Sequence, residues 1–253
     1  MNYKLWFALY YKVILFYFFL CVLSFLTAFA LLAPVKFLVR TFLPSQQVGV
    51  WKLDNLSGNL WQGTMQVGNQ KGVNTQLAWQ VNITNLLGTD SVMAIDAETE
   101  RSSLTIHSSF QGLSPAFSLQ GQIDSQEISR QLKLPNNAGM TGNIDIKELI
   151  VKNNPPYYVA SGDAVWAGGY VSANGKRNSL PALLISITPE QDDLNIQLNE
   201  QATDINLIKI VATSEKQAKI QIAQRLLKLT KQGALSDNER DYVIRFTEKL
   251  KLP

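Results

Sequence analysis

Two patterns of apolar residues divide the chain. The first is a run: Val13 to Ala33 reads VILFYFFLCVLSFLTAFALLA, without charge, proline or glycine. As a helix its 21 residues would cover about 30 Å, the hydrocarbon thickness of a bilayer. Lys4 and Lys12 precede it, and Lys36 and Arg40 follow. Trp6, Phe7, Tyr10, Tyr11, Phe16 and Tyr17 gather near its start, as aromatic side chains do at a membrane interface. A cleaved signal peptide is the competing reading, with Ala28-Phe29-Ala30 as its small-x-small site. Signal cores hold only about 7–15 apolar residues, so this longer run is expected to remain as an anchor. The basic flanks balance, and the free α-amino group tips the N-terminus inward, leaving the body outside the cytoplasm. No later stretch is long and apolar enough to span.

The second pattern is alternation. From Val48 onward, short stretches of period two are separated by Gly, Asn, Asp and Ser, the mark of half-buried strands. In Thr75–Ile83, Leu77, Trp79 and Val81 share one face, with Gln76, Gln80 and Asn82 opposite. Ser91–Glu98, Ser103–Phe110, Ala116–Ile123, Leu183–Ile187, Leu194–Leu198, Ile205–Ala212 and Asp241–Leu250 read the same way, with a turn over Pro189–Asp193. Gly142–Val151 alternates imperfectly through Ile144, Ile146 and Leu149, which predicts a bulge or twist. Helix is sparse. Asp124–Leu132 has Asp124 or Ser125 as N-cap and Glu127 in its first turn. Ala218–Leu229 carries a helical stripe at Ala218, Ile222, Leu226 and Leu229, ended by Gly233, although AKIQI also suits a hairpin strand.

These elements predict a mainly-β fold. A single N-terminal transmembrane helix precedes a largely antiparallel β domain of two similar halves, with one or two short helices. The expected layout is an N-terminal tail over 1–12, a span over 13–33, a linker over 34–47 and the β-rich body over 48–253. The halves are expected over about 48–125 and 140–253, from a weak internal repeat. LSGNLWQG (56–63) and SGDAVWAGG (161–169) are each followed by an apolar strand ending in Asn/Ser-Ile-Thr and by a polar turn. The repeat places Trp61 and Trp166 in equivalent positions. Gly58, Gly63, Gly162, Gly168 and Gly169 bracket them, and Trp79 sits in the next strand of the first half. Glycine within a strand marks a bulge or a close backbone approach, and a tryptophan covers the bare backbone. These eight residues are therefore read as a structural motif.

Composition adds exclusions. Twenty-three basic and 20 acidic residues among 253 leave a net charge of +3, too little and too dispersed for a nucleic-acid face. Cys21 is the lone cysteine, so no intramolecular disulfide or cysteine zinc motif forms. His107, the lone histidine, has Ser108 and Ser109 beside it, but strand neighbours point to opposite faces and make no triad. Asp192-Asp193 suits a turn, and Glu98 and Glu100, beside Arg101, suit a solvated rim. Gly168-Gly169 lacks the Lys-Ser/Thr of a phosphate loop. No catalytic residue, cofactor or metal ligand is assigned, and an enzyme is not expected.

The anchor, the segment LLAPVKFLVRTFLP, LSGNLWQG, the tryptophan-bearing Leu77–Val81 and SGDAVWAGG occur in an order that resembles the type II secretion system protein N (general secretion pathway protein N) family. The resemblance runs over nearly the whole chain, although Ser214–Pro253 is charged and without a distinctive motif. It implies a single-pass inner-membrane protein of a Gram-negative bacterium with a β-rich periplasmic domain. Such a protein is accessory to the export of folded proteins, working with inner-membrane platform proteins and the secretin. It implies no catalytic residues. The alternative layout is that of AsmA-like envelope proteins, which handle lipid in an apolar groove. A lipid groove needs an apolar face open to solvent, whereas a docking domain buries its apolar residues in a closed core.

Overall fold

The computed structural model describes residues 3–42, 47–48, 51–69, 74–82, 84–85, 91–111, 114–131, 139–154, 157–173, 176–190, 193–213, 217–231 and 235–249. The chain opens with two helices, α1 (Tyr3–Leu32) and α2 (Val35–Phe42). Six substantial strands follow a two-residue one: β1 (Gln47–Val48), β2 (Trp51–Gly58), β3 (Gln62–Asn69), β4 (Asn74–Val81), β5 (Ser91–Glu98), β6 (Ser103–Gln111) and β7 (Ser114–Asp124). Helix α3 (Ser125–Gln131) leads to β8 (Gly139–Met140), β9 (Asn143–Asn154), β10 (Tyr157–Trp166), β11 (Gly169–Ala173) and β12 (Lys176–Leu180). The chain finishes with β13 (Leu183–Glu190), β14 (Asp193–Glu200), β15 (Ile205–Thr213), β16 (Gln217–Ala223), α4 (Gln224–Leu229) and β17 (Tyr242–Lys249).

One 14-stranded sheet has the order β1-β2-β3-β4-β5-β6-β7-β9-β10-β13-β14-β15-β16-β17. It is an antiparallel meander that skips β8, β11 and β12, which form a separate three-stranded sheet. The expected halves therefore join edge to edge through the β7–β9 ladder.

The alternation read from the sequence becomes two chemically different faces. Residues directly opposite in a ladder lie on the same face. Met65, Leu77, Ala97, Leu104, Gly121, Ile146, Ala164, Ile185, Leu198, Ile208, Ile222 and Ile244 form one continuous row from β3 to β17. A second apolar row runs beside it through Trp79, Ile95, Ile106, Leu119 and Leu149, and onward through Ile187, Ile196, Ile210 and Ile220. On the reverse face the same ladders align Gln66, Gln76, Glu98, Ser103, Gln122 and Asp145. Most residues of the first apolar row are half-buried, with Ile146 buried.

The expected bulge is present. Ile146 and Leu149, three apart, oppose Gly121 and Leu119, two apart, and also Ala164 and Gly162. Gly162 takes the strain, at φ +152°, and a Cβ there would strike the Glu148 carbonyl. The turn expected over Pro189–Asp193 is tighter than read. Pro189 and Glu190 belong to β13 and face Leu194 and Asp193, while Gln191 and Asp192 lie outside the described residues. The helix expected over Ala218–Leu229 is corrected: its first part is β16, paired with both β15 and β17, and only Gln224–Leu229 is helical. Ala218, Ile220 and Ile222 satisfy period two, and two complete ladders outweigh one amphipathic turn. Gly233 lies outside the described residues.

Helix α3 is capped as expected, with the Asp124 carboxylate accepting the Gln126 N–H at 2.7 Å. Ser125 is instead buried, its hydroxyl donating to the Gly142 carbonyl at 2.6 Å. At the N-terminus a continuous helix, α1, lies where the span was read. Its side chains are described over 15–29 and at Leu32, and among the described residues no helix is long and apolar enough to cross a membrane. Leu15, Phe16, Phe18, Phe19, Leu23 and Phe25 of that helix are exposed. The segment read as a linker holds α2, which packs against β2, and Pro34 bridges Asn59.

Gly162→Ala should lower unfolding stability by roughly 2–4 kcal/mol, since both backbone conformation and space oppose a Cβ. Gly139→Ala, whose Cβ would meet only the Ser172 hydroxyl at 3.3 Å, is the matched control and should change little. Urea titration of the full chain in detergent measures both.

Candidate functional site

The motif residues form two groups rather than one. Gly58 and Gly63 face each other where β2 turns into β3. Gly63 also opposes Trp79, and a Cβ on it would fall on the indole ring. The glycine backbone is thus covered by a tryptophan, but by the cross-strand Trp79. Trp61 lies in the turn itself, half-buried, with the Asn59 side-chain oxygen accepting the N–H groups of Trp61 and Gln62, each at 2.9 Å. Its carbonyl accepts the Val81 N–H at 2.6 Å.

Trp166 has a different setting. It ends β10, pairs with Ile144 and Leu183, and is 2% exposed. Its indole N–H donates to the Thr141 carbonyl at 3.1 Å. Gly168 and Gly169 follow, carrying the chain out of the main sheet into β11, packed closely against Gly142 and Thr141. Equivalence of Trp61 and Trp166 is therefore not what the structure has: one is in a hairpin turn and the other in a paired strand. Gly162 belongs to the bulge within β10. Trp79 and Trp166 lie on strands five steps apart, about 24 Å.

Trp166 anchors the main core cluster with Leu180, Leu183 and the fully buried Leu207. Above it the apolar face is roofed by the small sheet and α4, and between floor and roof lies a cavity of about 290 Å³. Ile185, Leu198 and Ile208 make its floor, Met140 and Val171 one wall, and Leu226 another. Among the described lining residues the one hydroxyl, on Thr230, is turned away to the Leu226 carbonyl at 2.9 Å, and the others are apolar. None of β8, β11 or β12 was read from the sequence. The pair Gly168-Gly169, one residue beyond Trp166, is the signal that the chain leaves the sheet there.

An ionic clamp holds α4 in place. Glu200, at the end of β14 and 3% exposed, accepts two bonds from the Arg225 guanidinium, at 2.9 and 3.0 Å. Thr203 adds a third at 2.7 Å. Glu239 receives Arg225 and Lys228, both at 3.2 Å. Hydrogen bonds from Arg225 hold the Glu200 carboxyl below the usual carboxylate range, against the opposing effect of burial, and Thr203 assists. The same contacts raise the Arg225 guanidinium further.

The remaining candidates make no reactive constellation. His107 lies opposite Ala94 and Ser118, while Ser108 is on the other face and buried. Glu98 ends β5, Glu100 is in the turn, and Arg101 reaches Asp124 and Gln126 instead. Among the described residues, no group of three or more His, Cys, Asp or Glu is placed to hold a metal.

The family model described as Type II secretion system (T2SS), protein N matches residues 50–237, well over half of the chain. No curated protein and no solved structure matches the chain.

Trp166→Ala should cost about 3–5 kcal/mol, as a large side chain lost from a core. Trp61→Ala, in a half-exposed turn, should cost about 1 kcal/mol. Thermal unfolding of the two variants side by side tests the difference in setting. Arg225→Met strands a buried carboxylate and should cost about 3 kcal/mol at neutral pH, much of it recovered in the double variant with Glu200→Leu. Because the folded Glu200 value is depressed, its contribution is present above the unfolded value near about 4.3 and is lost as pH falls through the lower folded value. Denaturation midpoints of wild type should therefore drop below about pH 4, with a smaller drop in the double variant.

Proposed function

Because the chain belongs to the type II secretion system protein N family, we propose that it is a non-enzymatic inner-membrane component of that pathway that helps assemble or stabilise the export machinery. Membership makes it part of the type II protein-secretion apparatus. The finer reading is that residues 1–12 are cytoplasmic, 13–33 span the inner membrane, 34–47 connect, and 48–253 lie in the periplasm. Its partners are then the inner-membrane platform proteins and the secretin.

The observation that carries this reading is that the family match, residues 50–237, covers the sheet from β2 to β16, all but its two end strands. A long single sheet supports a docking role because its end strands offer unpaired backbone groups to an added strand. Among the described strands, β17 pairs on one side only, with β16. Exposed aliphatic and aromatic side chains on α1 support the membrane placement.

Deleting the gene should trap type II exoproteins in the periplasm while the outer membrane still excludes detergent and large antibiotics. Assays of culture medium, periplasm and barrier function in parallel check this. Normal export with a leaky barrier would overturn the secretion role and favour envelope lipid handling.

A further inference from the structure

We propose that the cavity beside Trp166 holds an acyl chain of a membrane phospholipid. This goes beyond the assembly role and rests only on the membrane placement of α1 proposed with it. The lining chooses the chemistry. A polypeptide segment threaded into the cavity would bring N–H and carbonyl groups, and the described lining residues present no free polar atom to receive them. A sugar or nucleotide meets the same obstacle. A hydrocarbon makes no such demand. An apolar cavity of about 150 Å³ accepts benzene, so one of about 290 Å³ accommodates a chain segment of roughly ten to twelve carbons.

The path to the cavity is apolar as well. Its floor residues Ile185, Leu198 and Ile208 belong to the row that begins at Met65 on β3. That row starts one strand from β2, against which α2 packs, directly after α1. The uncovered phenylalanines and leucines of α1 call for lipid around them, which places a bilayer at the beginning of the row. The hydrocarbon nearest to the chain is therefore a phospholipid tail. The charged head has no partner among the described lining residues and stays at the open mouth.

The test uses the full chain reconstituted in phosphatidylethanolamine–phosphatidylglycerol vesicles containing a small share of phosphatidylglycerol with a diazirine at its tail. After irradiation and digestion, mass spectrometry should find lipid adducts on peptides carrying Met140, Val171 or Leu226. Val171→Trp, which fills the cavity from its wall, should reduce those adducts at least tenfold and leave the melting temperature in place. If that variant fails to fold, Leu226→Phe takes its role. Excess unlabelled phospholipid should suppress the cavity adducts in wild type. Adducts confined to α1 would overturn the proposal. So would cavity adducts that persist when the cavity is filled, because the tail would then be touching only the outer surface.

Discussion

Side-chain parity governs this molecule. In a meander of antiparallel strands every residue shares its face with the residue opposite, so one error of register would turn a whole strand inside out. The apolar row from Met65 to Ile244 survives twelve strands without such an error. The β9 bulge shows how that is done. Ile146 and Leu149 are an odd number apart, and the extra residue restores both to the apolar face. Gly162 supplies the backbone conformation that the neighbouring strand needs there.

An apolar face this long has to be covered or put to use. Over β10 and β13–β15 it is covered by the small sheet and α4, and there the buried cluster of Trp166, Leu183 and Leu207 forms. The cover is held by specific polar contacts. Arg225 and Glu200 tie α4 to β14, and the buried Gln224 receives the N–H groups of Leu235 and Ser236 at 2.7 and 3.0 Å. Removing Arg225 would leave the buried Glu200 carboxylate without its ionic partner, whereas Arg225 is partly exposed and also pairs with Glu239. The cavity is what remains between roof and floor.

The family match and this architecture concern largely the same residues, because 50–237 spans β2 through α4 and the covered region around Trp166. A single sheet with one polar and one apolar face provides two independent surfaces for a secretion component. Among the described strands its end strand β17 is paired on one side only, and its roofed apolar face encloses a cavity with the size and chemistry of a hydrocarbon site. A closed sandwich would have buried the second surface.

Much of this was legible before any coordinates. Period-two runs located Ser91–Glu98 to the residue and eight of the other strands to within a few residues, because alternation is a direct record of a two-faced sheet. The apolar run marked α1, and the irregular spacing of Ile144, Ile146 and Leu149 announced the bulge. The residues Gly63 and Trp79 were both picked out, but their contact was not, because it depends on which strands pair. The same limit separated Trp61 from Trp166: similar words, SGNLWQG and SGDAVWAGG, sit in a turn and in a strand because different partners surround them. Ala218–Ala223 satisfied both helical and strand spacing, and only the ladders on either side decided. The short strands β8, β11 and β12 carry too few residues for a period to register. Their sheet, and with it the cavity, exists through contacts between segments far apart in the chain. Local periodicity determined the elements and their faces, and long-range pairing alone determined which apolar residues meet and what they enclose.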